Sequence, residues 1–266
     1  MLTRPSGPSR IVCLTEEPTE ILYALGCGDR IVGISAYTVR PPEARQTKPV
    51  VSAFLDGSVR KICALNPDLV IGFSDIQADL AKRLIAANLN VLIFNQRSVS
   101  EILTVIDHIG AMVHRHAQAQ VLIDTYRSRL DVISKSARQF PFNPKVYFEE
   151  WDEPTITAIQ WVSELIEIAG GVNVFSDRAE GKLAKDRFVS TEEVVASAPD
   201  IVLASWCGKP FDRPAFESRF STSKLPAQRH EAIYEIPAEI ILQPGPAALT
   251  DGVDMLHHLI KSYAYR

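Results

Sequence analysis

Short apolar runs alternate with amphipathic stretches along most of the chain, which is the pattern of strands alternating with helices. In the first half, buried strands are predicted over residues 10–14, 31–35, 69–73 and 91–94. In the second half, three more are predicted over residues 145–148, 201–204 and 232–236. Helical stretches lie between them, at residues 18–25, 58–65, 76–89, 98–109, 162–169, 191–197 and 247–263. Because parallel strands need such crossover connections, the pattern predicts an α/β fold with largely parallel sheets.

Residues 111–140 break this alternation. They contain neither glycine nor proline, and apolar residues recur at spacings of three and four from Leu122 to Ala137. That spacing predicts one long amphipathic helix, and about 25 residues of helix would be about 38 Å long. Pro141 and Pro144 then predict its end, because proline cannot continue a helix.

The two halves of the chain repeat each other. Residues 66–71, Asn-Pro-Asp-Leu-Val-Ile, match residues 198–203, Ala-Pro-Asp-Ile-Val-Leu. Residues 22–26 match residues 165–170, with one extra residue before the glycine. Because the matches come in the same order on either side of the long helix, they predict two similar, Rossmann-like α/β lobes. The predicted boundaries are 1–110 for the N-terminal lobe, 111–140 for the linking helix and 141–266 for the C-terminal lobe.

Composition excludes some classes of function. The 266 residues are 46% hydrophobic and 23% charged, which is ordinary for a globular protein, and the formal net charge is −4. Without a basic excess, nucleic acid is not expected as the ligand. Pro5 and Pro8 leave no apolar stretch for a signal peptide, and no apolar run approaches the roughly 20 residues that span a bilayer. We therefore expect a soluble protein without membrane insertion, located in the cytoplasm, or in the periplasm if a signal peptide precedes this sequence.

Candidate ligand contacts follow the predicted strands. In open α/β sheets ligands bind beyond the carboxyl ends of the strands, and domain interfaces are preferred pocket locations, so we expect the ligand in the cleft between the lobes. The candidates are the side chains at these strand ends or in loops that enter helices, namely Thr15, Glu16, Tyr37, Phe54, Phe73, Glu150, Trp151, Phe188, Trp206, Cys207 and Gln243. Aromatic side chains at strand ends suit a flat, partly apolar ligand.

Motifs for catalysis or metal binding are sparse, and we predict neither catalytic residues nor a metal site. No CxxC or HExxH motif occurs, and no strand end carries a histidine. Gly26-Cys-Gly28 precedes a strand instead of following one, which disfavours nucleotide binding. The acidic residues Glu149, Glu150, Asp152 and Glu153 are interpreted as part of a polar loop, with acid–base chemistry as the alternative. Cys207 is interpreted as an inert thiol, with a nucleophile or metal ligand as the alternative.

Five segments match the pattern of a known family. They are residues 30–37 followed by Pro41-Pro42, residues 66–71, residues 169–175, residues 188–192 and residues 243–246. With them the chain, from residue 10 to about 260, resembles the substrate-binding proteins of ABC importers for vitamin B12 and iron chelates. Ser35 and Tyr37 resemble the cobalamin-binding members, and residues 148–154 resemble a subgroup without signal peptides. The resemblance implies the class III substrate-binding-protein fold, in which one rigid backbone helix joins two lobes.

The resemblance also implies a function. It points to a non-enzymatic binder of a corrinoid, with cobalamin as the ligand and no cofactor. Tyr37 would contact the corrin ring, and Phe54, Phe73 and Phe188 would stand where cobalamin binders place tryptophans. Gln243 stands where many iron-chelate binders carry arginine, which disfavours an anionic siderophore. The alternatives are a binder of an iron chelate or haem, and an enzyme that acts on a tetrapyrrole-like substrate.

An ABC permease is the partner that the resemblance implies. Family members dock through one exposed acidic residue on each lobe, which meets arginines of the permease. Glu192 matches on the second lobe, whereas Arg60 stands at the corresponding place on the first. Because like charges oppose docking, we expect a binding protein of importer type that works inside the cell and docks poorly, if at all.

Overall fold

The computed structural model describes residues 7–53 and 56–266. The chain divides into two compact units. The first unit contains the chain up to Gln96 together with Ser100–Thr125, and the second contains Arg97–Val99 together with Tyr126–Arg266. Each unit is built on its own sheet.

Six strands form the sheet of the first unit: β1 (Ile11–Cys13), β2 (Ile31–Ser35), β3 (Val50–Ala53), β4 (Asp56–Gly57), β5 (Leu69–Phe73) and β6 (Val91–Phe94). Their order is β4-β3-β2-β1-β5-β6, and every neighbouring pair is parallel except β3 with β4. The helices are α1 (Glu16–Ala24), α2 (Pro42–Thr47), α3 (Val59–Ala64), α4 (Ala78–Ala86) and α5 (Val99–Met112). The central strand β1 is fully buried, which explains why it reads as a continuous apolar run.

The sheet of the second unit consists of β7 (Lys145–Asp152), β8 (Thr155–Thr157), β9 (Val172–Asn173), β10 (Ile201–Ala204) and β11 (Ile233–Glu235). The order is β11-β10-β7-β8, with β9 also on β7, and only the β7–β8 pair is antiparallel. The helices are α7 (Gln160–Ile168), α8 (Ser176–Ala179), α9 (Thr191–Ser197), α10 (Arg213–Arg219), α11 (Pro226–Arg229), α12 (Ala238–Ile241) and α13 (Val253–Ala264). The prediction of an α/β fold with largely parallel sheets is confirmed.

The long linking helix, α6, runs from His116 to Ala137 and ends before Pro141, as predicted. It begins later than expected, because Ala111 and Met112 still belong to α5. His114 adopts a left-handed conformation with φ of 57°, which separates the two helices. A side chain at Gly110 would collide with Ala119, so the glycine permits the two helices to cross closely. The chain passes from the first unit to the second within α6.

The repeated sequence makes the same kind of aspartate–backbone hydrogen bond in both units. Asp68 precedes β5, and its carboxylate accepts the backbone N–H of Arg10, next to β1, at 3.0 Å. Asp200 precedes β10, and its carboxylate accepts the backbone N–H of Lys145, at the start of β7, at 2.8 Å. Each aspartate therefore fixes the amino end of a strand to its neighbour.

Candidate functional site

Four of the predicted contacts lie at the carboxyl edge of the first sheet. Thr15 and Glu16 follow β1, Tyr37 follows β2 and Phe73 ends β5. Since β1 lies between β2 and β5, these side chains share one edge of the sheet. Tyr37 is 48% exposed, whereas the other three are buried. Phe54 lies outside the described residues.

Two buried glutamates stand in the first turn of α1. The hydroxyl of Thr15 donates to Glu17 Oε1 at 2.8 Å. Burial raises the pKa of Glu16 from 4.5 to about 7, and its own backbone N–H opposes this rise. Burial, with the negative charge of Glu16 added, raises the pKa of Glu17 from 4.5 to about 8. Although the amino end of a helix favours negative charge, desolvation dominates here. Near neutral pH this turn therefore holds protons that an exposed glutamate would release.

Gln77 fixes the ends of β1 and β5, although no pattern in the sequence distinguishes it from other glutamines. Its Oε1 accepts the backbone N–H of Phe73 at 3.0 Å, and its Nε2 donates to the carbonyl of Leu14 at 3.5 Å. Gly72 leaves space for this amide, because a Cβ at that position would collide with it. Gln77 is fully buried, so the polar pairing positions the backbone at this edge.

In the second unit, Glu149 is fully buried within β7. It accepts three hydrogen bonds, from Tyr147 Oη at 2.8 Å, Trp206 Nε1 at 3.1 Å and Arg219 Nη2 at 2.6 Å. Burial raises the pKa of Glu149, and Arg219 is the strongest opposing influence. The network ties β7 to the segment after β10 and to α10.

Glu150 is paired with Arg187 in a two-pronged ion pair. The two guanidinium nitrogens lie 2.5 and 3.0 Å from the carboxylate oxygens, and Nη1 also donates to the carbonyl of Thr157 at 2.6 Å. The interpretation of residues 149–153 as a polar loop was wrong, because residues 149–152 are the end of β7 and pair with β8. Basic side chains from distant segments stabilise acidic residues within this strand.

Trp151 and Trp206 are brought together by Lys209. Its Nζ lies 4.3 Å from the ring centre of Trp151 and 4.7 Å from that of Trp206. The same ammonium lies 2.6 Å from Asp152 Oδ1. Trp151, Asp152, Trp206 and Lys209 are called the tryptophan–lysine cluster below. Lys209 follows the strand predicted over residues 201–204, but nothing in the sequence indicated that it would contact both rings.

The remaining candidates of the second unit are more scattered. Cys207 is exposed in the turn after Trp206. Phe188 is 39% exposed and forms a bridge with Ile156 of β8. Gln243 was expected after a strand, but α12 intervenes and Gln243 follows that helix instead. The strand predicted over residues 232–236 ends before α12, so periodicity alone could not place Gln243.

Within residues 7–53 and 56–266, no group of three or more histidine, cysteine or acidic side chains could hold a metal ion. Over the same part of the chain, none of the helices combines the length and apolar character needed to cross a membrane.

Comparison with known proteins gives a consistent family pattern. The family model described as periplasmic binding protein matches residues 11–240. An uncharacterized ABC transporter substrate-binding lipoprotein of Bacillus subtilis is 28% identical over 264 residues, or 96% of this chain and 81% of that protein. A vitamin B12-binding protein of Vibrio cholerae is 28% identical over 269 residues, or 98% of this chain and 92% of that protein.

Solved structures show the same fold. The periplasmic vitamin B12-binding protein of Vibrio cholerae superposes with a TM-score of 0.77 at 24% identity, covering 98% of this chain and all (100%) of that one. A periplasmic haem-binding protein from Roseiflexus superposes with a TM-score of 0.75 at 24% identity, covering 96% and 100%. The predicted class III fold is confirmed. These names describe periplasmic proteins and a lipoprotein, so they give no support to the expected cytoplasmic location.

Proposed function

Because this chain belongs to the periplasmic binding protein family, we propose that it is the substrate-binding protein of an ABC importer and that its substrate is a corrinoid, with cobalamin as the first candidate. Members of this family bind ligands and do not catalyse reactions, so the chain is a binding protein and not an enzyme. The corrinoid is supported by relatives named for vitamin B12 that align with 98% of the chain.

The observation that carries the proposal is a set of accessible aromatic rings beside the sheets. Tyr37 is 48% exposed and Phe188 is 39% exposed, and Trp151 is half-buried within β7. A macrocycle with a flat apolar face gains both buried area and ring contacts from such side chains. The amide of Gln243 adds a donor and an acceptor for the polar arms of a corrinoid.

The carboxylates of β7 favour binding over acid–base catalysis. Glu149, Glu150 and Asp152 lie within 2.6 Å of Arg219, Arg187 and Lys209, respectively. Each of these carboxylates already accepts hydrogen bonds from a basic side chain of the protein, so its oxygens are engaged within the fold. This pairing therefore weighs against the enzymatic alternative based on residues 149–153.

Calorimetry and visible spectroscopy test the ligand. Purified protein is titrated separately with cyanocobalamin, haem and a ferric hydroxamate. Saturable heat with cyanocobalamin alone supports the proposal. Binding of haem or the hydroxamate in its place would reassign the ligand, and the proposal would be abandoned.

Single substitutions locate the contacts. Tyr37→Ala and Phe188→Ala are expected to weaken cyanocobalamin binding by about tenfold each, the equivalent of about 1.4 kcal/mol of lost ring contact. Tyr265→Ala and Phe142→Ala are matched controls, because these rings are also exposed, at 58% and 47%, but are not candidate contacts. Equal losses in candidates and controls would contradict the assignment. Thr15, Glu16, Phe73, Trp206 and Cys207 stay proposed contacts to be tested in the same way.

The partner is proposed to be an ABC permease, with docking limited by charge. Glu192 is exposed in the first turn of α9, and Arg60 is exposed in α3. Arg60→Glu is expected to strengthen binding to the permease from the same genome, reconstituted in nanodiscs, and Glu192→Lys to weaken it. An unchanged affinity in both variants would discard these two positions as docking residues.

A further inference from the structure

The tryptophan–lysine cluster has the composition of a site for an organic cation. Lys209 Nζ lies 4.3 and 4.7 Å from two indole centres, within the range of about 6 Å over which cations interact with aromatic faces. Tryptophan is the aromatic side chain that attracts cations most strongly. Asp152 supplies the opposite charge at 2.6 Å. Two indole faces and one carboxylate therefore surround a single ammonium group.

The surroundings fix this arrangement before any ligand arrives. Trp206 is buried, its Nε1 donates to Glu149, and its ring meets Phe211 edge-on with centroids 5.0 Å apart. Trp151 Nε1 donates to the carbonyl of Glu153 at 2.9 Å. The single N–H donor of each indole is therefore bonded within the protein, and the ring faces stay available to a cation.

Lys209 itself is held less firmly than the two tryptophans of the cluster. Its side chain is 38% exposed, and it follows Gly208, which adopts a left-handed φ of 81° in the turn after Trp206. Among the described residues, no atom lies within 4 Å of where a Cβ of Gly208 would be, so the turn is open at this point. A long lysine side chain on an open turn can leave the rings for water without repacking the core.

We propose that Trp151, Trp206 and Asp152 form a binding site for alkylammonium ions, and that Lys209 is its tethered occupant. A ligand that carries an amine would replace the Lys209 ammonium and leave the charge balance at Asp152 unchanged. Because Lys209 is tethered beside the rings, its ammonium is present there at a high effective concentration, and it competes with any free cation. The wild-type protein therefore binds simple amines weakly, and loss of Lys209 opens the site.

Propylammonium chloride is the probe, because it reproduces the end of a lysine side chain. Tryptophan fluorescence is followed during its addition, with sodium chloride at equal ionic strength and 1-propanol as the charged and the neutral control. Lys209→Ala is expected to lower the half-saturating concentration at least tenfold relative to the wild type. Lys209→Arg keeps a tethered cation and is expected to bind no better than the wild type. Lys182→Ala removes an exposed lysine elsewhere in the second unit and is the matched control.

Two further variants test the contributions of Trp151 and Asp152 in the Lys209→Ala background. Adding Trp151→Leu or Asp152→Asn to Lys209→Ala is expected to abolish the gain, with circular dichroism confirming that each variant is folded. The proposal is overturned if Lys209→Ala responds to propylammonium no more than to sodium or propanol. It is also overturned if Lys209→Arg binds as tightly as Lys209→Ala. This inference does not depend on the corrinoid, since cyanocobalamin titrations of the same variants are read separately.

Discussion

Replacing Arg219 with methionine should destabilise the second unit through the charge that it leaves behind. Glu149 is fully buried, and among the described residues Tyr147 and Trp206 remain as its side-chain donors in this variant. Removing one partner of a buried ion pair costs about 3–5 kcal/mol. The Arg219 side chain is 25% exposed, so water already screens part of the interaction. We therefore expect a loss near the lower limit, about 3 kcal/mol. Methionine retains much of the apolar contact with the rings of Phe216 and Phe220.

Urea unfolding followed by tryptophan fluorescence measures this loss. Trp206 is a direct reporter, because its indole N–H donates to Glu149. Arg213→Met is the matched control on the same helix. Arg213 pairs with Glu217 at the surface, with 46% of its side chain exposed, and such pairs contribute at most about 1 kcal/mol. Similar losses in the two variants would show that the buried charge is not the cause.

The pH dependence gives a second test of the same reasoning. Without Arg219, the folded-state pKa of Glu149 rises further above its unfolded value, because the strongest influence that opposes desolvation is lost. A raised carboxyl pKa means that the folded state is favoured below the unfolded pKa and loses this advantage as pH rises through the folded value. The loss of unfolding free energy in Arg219→Met should therefore be larger at pH 8 than at pH 5, because the buried carboxyl is more often protonated and uncharged at the lower pH. Adding Glu149→Gln should recover at least half of the loss. A deficit that is independent of pH, with no recovery in the double variant, would refute the argument.

Two other properties can be predicted from the first unit and from the repeat. The raised pKa of Glu17, about 8, should reduce stability as pH rises from about 5 to 9, by up to about 5 kcal/mol. Glu17→Gln should flatten this profile in denaturant titrations, whereas the exposed control Glu43→Gln should leave it steep. Asp68→Ala and Asp200→Ala should each cost about 0.5–1.5 kcal/mol, because each removes a hydrogen bond that holds the start of one strand to its neighbour at a position that water can reach. Thermal unfolding should show comparable losses of stability in the two variants. A loss in one variant alone would contradict the inference that the two aspartates have the same structural role.

Much of the fold could be predicted because its central strands are buried on both faces. The apolar runs of β1, β5 and β10 can be recognised from the local sequence, without knowledge of the strands that pair with them. By contrast, β4 and β9 have two residues each, and a strand that short shows no alternation of apolar and polar residues from which it could be predicted. The break between α5 and α6 was predicted too early, at residue 110, because a histidine, and not a glycine or proline, adopts the left-handed conformation at the actual break.

The candidate site was predictable only where topology alone determines position. Tyr37, Phe73 and Trp206 follow or end strands, and the carboxyl ends of parallel strands share an edge. The ion pairs made by β7 in the second sheet could not be inferred. Arg187 is 37 positions from Glu150, and Arg219 is 70 positions from Glu149. Local sequence patterns do not report contacts over such separations, so residues 149–152 looked like an unpaired acidic loop.

Each unit buries a glutamate, and the neighbouring charges that act on the two glutamates are opposite in sign. Glu17 follows the central strand β1, and the charges that act on it are those of Glu16 and Glu20, both negative. Glu149 lies in β7, and Arg219 opposes its desolvation. The alkaline loss of stability that Glu17 causes should therefore originate in the first unit. All three tryptophans belong to the second unit, so their fluorescence reports the Arg219 experiment directly but not the titration of Glu17. A probe in the first unit, such as a tryptophan replacing the exposed Tyr37, is needed to follow that titration where it occurs.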